Sequence, residues 1–172
     1  MGQALHTVRE DHLVAWLTAL AISIHVVESV LPSPVPGIKP GLANAITVST
    51  LILFGWRLAA WVGLLRVLVG SLIIGTFMSP TFMLSLSGAV ASLAMLGLAS
   101  RLPGEGFGPV GYCILAAMAH MGGQFVVAYW FFIPHEALFG LLPPLMTAAV
   151  GFGIVTGVVT HAAIDPIKQV RT

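Results

Sequence analysis

Charged side chains are nearly missing from this sequence: Lys and Arg number 7 and Asp and Glu 6 in 172 residues, 8% in all against a hydrophobic share of 58%. Soluble domains carry about 25% charged residues, so a water-soluble globule is excluded and the chain reads as a polytopic membrane protein. Its formal charge is +1, with no basic stripe interleaved with aromatics, which argues against nucleic acid as a partner. The single cysteine, Cys113, excludes an intrachain disulfide framework and a CxxC metal site. No Walker motif is present, so any dependence on ATP must come from another protein. The opening MGQALHTVREDHLVAW has no charged n-region followed by a cleavage site, and its apolar run is read as a retained span.

What is present is a series of long apolar runs. A spanning helix needs about 20 such residues. Breaks at proline, glycine and charge give six candidates in one membrane domain covering 1–172: roughly 12–31, 42–55, 57–77, 81–101, 109–133 and 138–164. The second is short, and Pro143-Pro144 marks the first turns of the sixth as a separate, partly inserted piece. An excess of Lys and Arg marks the cytoplasmic side. With both termini cytoplasmic, Arg9, Arg57, Arg101, Lys168 and Arg171 fall inside and only Lys39 outside. That orientation places the loop 32–41 on the external face.

Polar residues inside the spans then share a depth. His25 and Glu28 lie near the outer end of the first span, Asn44 and Thr47 begin the second, and Arg66 is near the middle of the third. Ser85 and Ser87 open the fourth span, and His120 and Gln124 stand one helical turn apart on the fifth. Each alone has a structural reading. Glu28 and His25 can reach the headgroups, Arg66 can be neutralised by Glu28 or by freed carbonyls, and His120 with Gln124 can make one interhelical bond. A charge at mid-bilayer costs a few kcal/mol, so Arg66 must face protein or water. Together the residues predict a polar cavity open to the outside, with Arg66 and Lys39 meeting an acidic or phosphorylated part of a ligand. On the first span Ala15, Ala19 and Ser23 repeat every four residues, a spacing that admits a close partner helix. This stripe lies roughly 130° around the helix from the His25 and Glu28 face. Gly151, Gly153 and Gly157 on the last span allow the same reading, and ordinary internal packing explains either stripe equally well.

The loop between the first two spans, ESVLPSPVPGIKPGLAN, carries prolines at 32, 34, 36 and 40. Proline fixes φ and lowers the entropy lost on ordering, so a stiff external cover over the polar cluster is expected. Together with FGWRLAAWVGLLRVLVGSLIIG, SPTFMLSLSGAVASLAM and AHMGGQFVVAYW, this stretch resembles the bacterial Gx transporter family, also called heptaprenyl diphosphate synthase component I. The resemblance runs from Glu28 to the glycine-rich last span. Members resemble the six-helix substrate-binding (S) components of energy-coupling factor transporters. Those bind a vitamin from outside under an ordered first loop and dock on a transmembrane coupling protein with two ATPases through small first-helix residues. Ala15 and Ala19 match that AxxxA pattern. The family pattern has Asn after the fifth-helix His, where this chain has Met121, and Leu after the loop lysine, where it has Pro40.

The two family names imply different functions. Prenyl chain elongation needs aspartate-rich motifs to hold magnesium against diphosphate, whereas the only aspartates here are Asp11 and Asp165. The expectation is therefore an all-α, six-span, S-component-like bundle of the bacterial inner membrane that is not an enzyme and needs no cofactor or metal. Its expected role is binding a small solute for uptake through Glu28, Lys39, Asn44, Arg66, Ser85, His120 and Gln124, with Ala15, Ala19 and Ser23 meeting a coupling protein. The alternative is a non-catalytic accessory subunit in prenyl diphosphate or menaquinone metabolism, or in a flavin- or quinone-linked membrane redox complex.

Overall fold

The computed structural model describes residues 2–30, 42–102 and 107–171, and among these every regular element is a helix. The helices are α1 (Gly2–Val30), α2 (Leu42–Phe54), α3 (Trp56–Ile74), α4 (Pro80–Ala99), α5 (Pro109–Val127) and α6 (Leu142–Arg171). A π-helical turn, Ala128–Phe132, extends α5, and a 3-10 helix, Glu136–Leu141, leads into α6. The first turns of the expected last span are 3-10 and run directly into α6 at Leu142, so Pro143-Pro144 does not set them apart. Pro143 and Pro144 sit in the first turn of α6, where a missing N–H loses no helical bond.

Local chemistry explains the boundaries. Gly55, at φ 90°, alone separates α2 from α3, a conformation that only glycine adopts without strain. Gly75, at φ 77°, caps α3 at Ile74, short of the expected residue 77. Its N–H donates to the Leu72 carbonyl (3.3 Å) and the Thr76 N–H to that of Ser71 (2.9 Å). Ser79 caps α4 by accepting the Phe82 N–H at 3.3 Å, and Pro80 follows at the first helical position. His135 caps the 3-10 helix, its Nδ1 accepting the Ala137 N–H at 3.1 Å.

Among the described residues four helical stretches are long and apolar enough to cross a membrane: Trp56–Ile74, Pro80–Ala99, Pro109–Phe132 and Glu136–Asp165. Val14–Glu28 and Asn44–Phe54 are shorter apolar stretches. The 13-residue α2 rises only about 20 Å, less than the ~30 Å hydrocarbon layer, and it packs against α1, α3, α5 and α6. The outside of the bundle is apolar: Leu72, Ile73, Leu98, Val158 and Trp130 are all exposed. Such a surface suits lipid, and the protein is a multi-pass membrane protein.

With no hydrophobic drive between helices in lipid, close packing must hold the bundle, and small residues permit it. Gly153 and Gly157 of α6 lie against the backbone of Ile114 and Val110 on α5, whereas Gly151 is exposed and faces open space. Two of the three glycines of that stripe thus pack internally. Trp56 at the start of α3 lies over Gly97 near the end of α4, and its Nε1 donates to the Leu93 carbonyl at 3.2 Å. Val48, Leu51, Ala59, Leu96, Cys113 and Ala116 form the core toward this end, drawn from α2 to α5.

Candidate functional site

Folding back at Gly55 makes α2 and α3 an antiparallel hairpin. Asn44 and Arg66 each stand ten residues from its ends at Phe54 and Trp56, about 15 Å along either arm, and so come level. Arg66 Nη2 donates to Asn44 Oδ1 at 3.0 Å. Glu28, near the end of α1, is close enough to act on Arg66 electrostatically. Glu28 is 4% exposed and Arg66 5%. Burying either charge alone is expensive, so opposite charges and hydrogen bonds must sit together here.

The second half of the cluster comes from α4 and α5. The His120 ring lies over Gly88, where a Cβ would come within 2.8 Å of its Cδ2 and Nε2. Gln124 Nε2 stands 3.1 Å from His120 Nε2. With the amide nitrogen donating, Nε2 accepts and the ring proton sits on Nδ1. His120 is also within electrostatic reach of Arg66 and of His25, which links the two halves. His25 in turn packs on Gly70 of α3, whose added Cβ would lie 3.1 Å from the ring. Glu28, Asn44, Arg66, His120 and Gln124 thus meet at one end of the bundle, where α1 and α3 finish and α2 and α4 begin. Arg57, Arg101 and the exposed His161–Asp165 pair (3.0 Å) lie toward the opposite end.

Other expected residues fare differently. Ser85 is half-buried one turn from Gly88 and makes no hydrogen bond among the described residues. Ser87 gives its hydroxyl to the Leu84 carbonyl (2.9 Å), and its own carbonyl abuts Gly123, a packing role. Lys39 and the cover expected at 32–41 lie outside the described residues. Ala15, Ala19 and Ser23 occupy an exposed side of α1 together with Trp16 and Val27. Among the described residues no three His, Cys, Asp or Glu side chains gather as a metal site.

Two components of the site are not named by sequence reasoning: Gly70 and Gly88, which make room for His25 and His120. The signal was available. Gly70 stands at the depth of His25 on the parallel α3, and Gly88 at the depth of His120 on the antiparallel α4. Gly88→Ala is expected to destabilise the protein by about 1–2 kcal/mol through overpacking. His120→Ala in the same chain should relieve most of this, measured as a double-mutant cycle of thermal unfolding in detergent. Additive losses would show that the ring does not depend on that space.

The family model for heptaprenyl diphosphate synthase component I matches residues 17–163, most of the chain. The chain belongs to that family. No curated protein and no solved structure matches it. All five gathered residues fall inside the component I match, and of the α1 stripe only Ala15 falls outside it.

Proposed function

We propose that this chain is the membrane-embedded substrate-binding subunit of an uptake machine, taking a small vitamin-like solute from the external side and energised by partner proteins. The observation that carries this reading is the convergence of Glu28, Asn44, Arg66, His120 and Gln124 from four helices onto one end of the bundle. A purely structural need would be met by fewer polar groups, since each is expensive to bury in lipid. In this reading six helices span the bacterial inner membrane with both termini cytoplasmic, and the cluster opens outward beneath the loop 32–41. Lys39 and Ser85 complete the pocket, and the exposed Ala15, Ala19 and Ser23 side of α1 receives a transmembrane coupling protein.

The family description favours a second reading, a component of a prenyl diphosphate synthase system, which we read as a non-catalytic accessory subunit in prenyl diphosphate or menaquinone metabolism; an accessory role in a flavin- or quinone-linked membrane complex is its variant. With aspartate only at 11 and 165, the chain itself does not supply an aspartate-rich magnesium site in either reading.

Native mass spectrometry of the gently extracted protein separates the two. A copurified small solute, lost in Arg66→Ala and Gln124→Ala while the protein stays folded, is the expected result. A prenyl lipid or quinone in its place would favour the accessory reading. Ala19→Leu should remove a copurifying protein and leave the solute in place.

A further inference from the structure

The inner face of α1 is unlike the rest of the core. Its buried residues among those described are Thr18, Ala21 and Glu28, and the half-buried His25 stands on the same side of the helix. No described residue of α1 enters either apolar cluster of the bundle, which α2 to α5 supply. A helix that turns a polar line inward needs polar partners there, because the interior offers no water to meet it.

Two contacts fix the level of that line. His25 packs on Gly70, so Ala21, one turn back, stands level with Arg66, and Arg66 in turn meets Asn44. α1 packs on α2, which runs antiparallel to it. Three residues further along each, away from the end where the cluster gathers, Thr18 and Thr47 share a second level about 4.5 Å deeper.

Their hydroxyls differ from those of other helical threonines in the chain. Thr50, Thr147 and Thr156 each donate to the carbonyl one turn earlier, at 2.7, 2.9 and 2.8 Å, the local solution open to a threonine in a helix. Thr18 Oγ1 and Thr47 Oγ1, in residues 6% and 4% exposed, have no partner among the described residues, and neither has Arg66 Nε in the layer above. Native proteins leave few buried polar atoms unmet, so three in two adjacent layers mark a place that a guest fills. A hydroxyl both donates and accepts and carries no charge, so the two threonines select for hydrogen bonding rather than for charge.

We propose that the polar site continues inward past Arg66 to a floor made by the Thr18 and Thr47 hydroxyls, and that this floor receives a hydroxyl or carboxamide group at the inner end of the bound solute. The hydrocarbon tail of a prenyl lipid or quinone would leave both hydroxyls unmet. This rests on the reading of the chain as a binding subunit and names the chemistry of its solute's inner end.

Two measurements on the full-length protein test it. In phosphatidylcholine nanodiscs, Thr18→Cys and Thr47→Cys, each combined with Cys113→Ser, are exposed to 2-aminoethyl and 2-sulfonatoethyl methanethiosulfonate, with Val48→Cys as the control. Val48 adjoins Thr47 in sequence but lies in the apolar core at 0% exposure. Both threonine positions should react at least about tenfold faster than the control. Equal rates overturn the inference, because the deeper layer is then not reached from outside. Thr18→Val and Thr47→Val keep the shape and remove the hydroxyl. By native mass spectrometry each should retain at least about tenfold less of the solute that copurifies with the unaltered protein, at unchanged helix content, whereas Thr18→Ser and Thr47→Ser keep most of it. Undiminished retention in both valine variants overturns the inference, with water alone in the deeper layer, and leaves the binding-subunit reading intact. A protein with no copurified solute removes that reading and this inference together.

Discussion

Glu28→Leu is expected to destabilise the protein by about 3–5 kcal/mol, the cost of stripping a buried charge of its counter-charge. Arg66 is 5% exposed, and its one defined hydrogen bond runs to the neutral Asn44, which can share a guanidinium proton but cannot balance its charge. With Glu28 gone, the guanidinium must draw water into the bundle or break away from Asn44 and snorkel outward. Adding Arg66→Met to Glu28→Leu removes both charges and should recover most of the loss, since a buried ion pair exchanged for apolar side chains of similar size is often near neutral. The measurement is thermal or denaturant unfolding in detergent of both single variants and the double. The wild-type difference should persist at high salt, because buried pairs are poorly screened. A loss for Glu28→Leu below about 1 kcal/mol would mean that Arg66 does not depend on the carboxylate.

The second large effect belongs to the crossing of α5 and α6. At Gly157 an added Cβ would lie 2.5 Å from Val110 Cα and 3.1 Å from its Cβ, so the obstacle is backbone and no rotamer change relieves it. At Gly151, one and a half turns earlier on the same helix, the same Cβ meets nothing within 4 Å. Alanine is worth up to ~1 kcal/mol over glycine in a helix interior. That gain decides the sign at Gly151 and is overwhelmed at Gly157. Gly157→Ala is expected to lower stability by about 3 kcal/mol, the upper end of overpacking costs, and Gly151→Ala to leave it unchanged or slightly raised. Equal effects at the two positions, read as melting temperatures in detergent, would mean that the helices slide apart freely at this crossing.

Much of the architecture was legible because lipid imposes simple conditions on sequence. Runs of apolar residues broken at Gly55, Pro80 and Pro109 locate several helix ends, since each break has a local cause, a positive φ or a proline at a first turn, whereas the left-handed cap at Gly75 ends α3 before the expected residue 77. The gathered residues could be anticipated because a rare polar side chain in lipid must seek another. Matching their depths on antiparallel helices is one-dimensional arithmetic. The same arithmetic does not give the angle at which a residue faces, and Ser85 shows the consequence. It lies in the same part of the bundle as Gly88 and His120 but makes no hydrogen bond among the described residues.

The small-residue stripes carry the same lesson. Spacing of four admits either internal packing or a partner, and the two cases divide in this chain. Gly153 and Gly157 are covered by α5, while Ala15, Ala19 and Ser23 are exposed. Nothing in the spacing distinguishes them, because the outcome depends on which helix lies opposite.

By itself, then, the sequence determined that this is a membrane protein, where several of its helices begin, and which residues are too polar to face lipid, because each of these follows from local composition and backbone chemistry. Tertiary structure alone decided that Glu28 comes within electrostatic reach of Arg66, that Gly70 and Gly88 make room for two histidines, and that Asn44 accepts from Arg66. Those are relations between helices, set by their rotation and crossing, which composition and spacing along one helix do not contain.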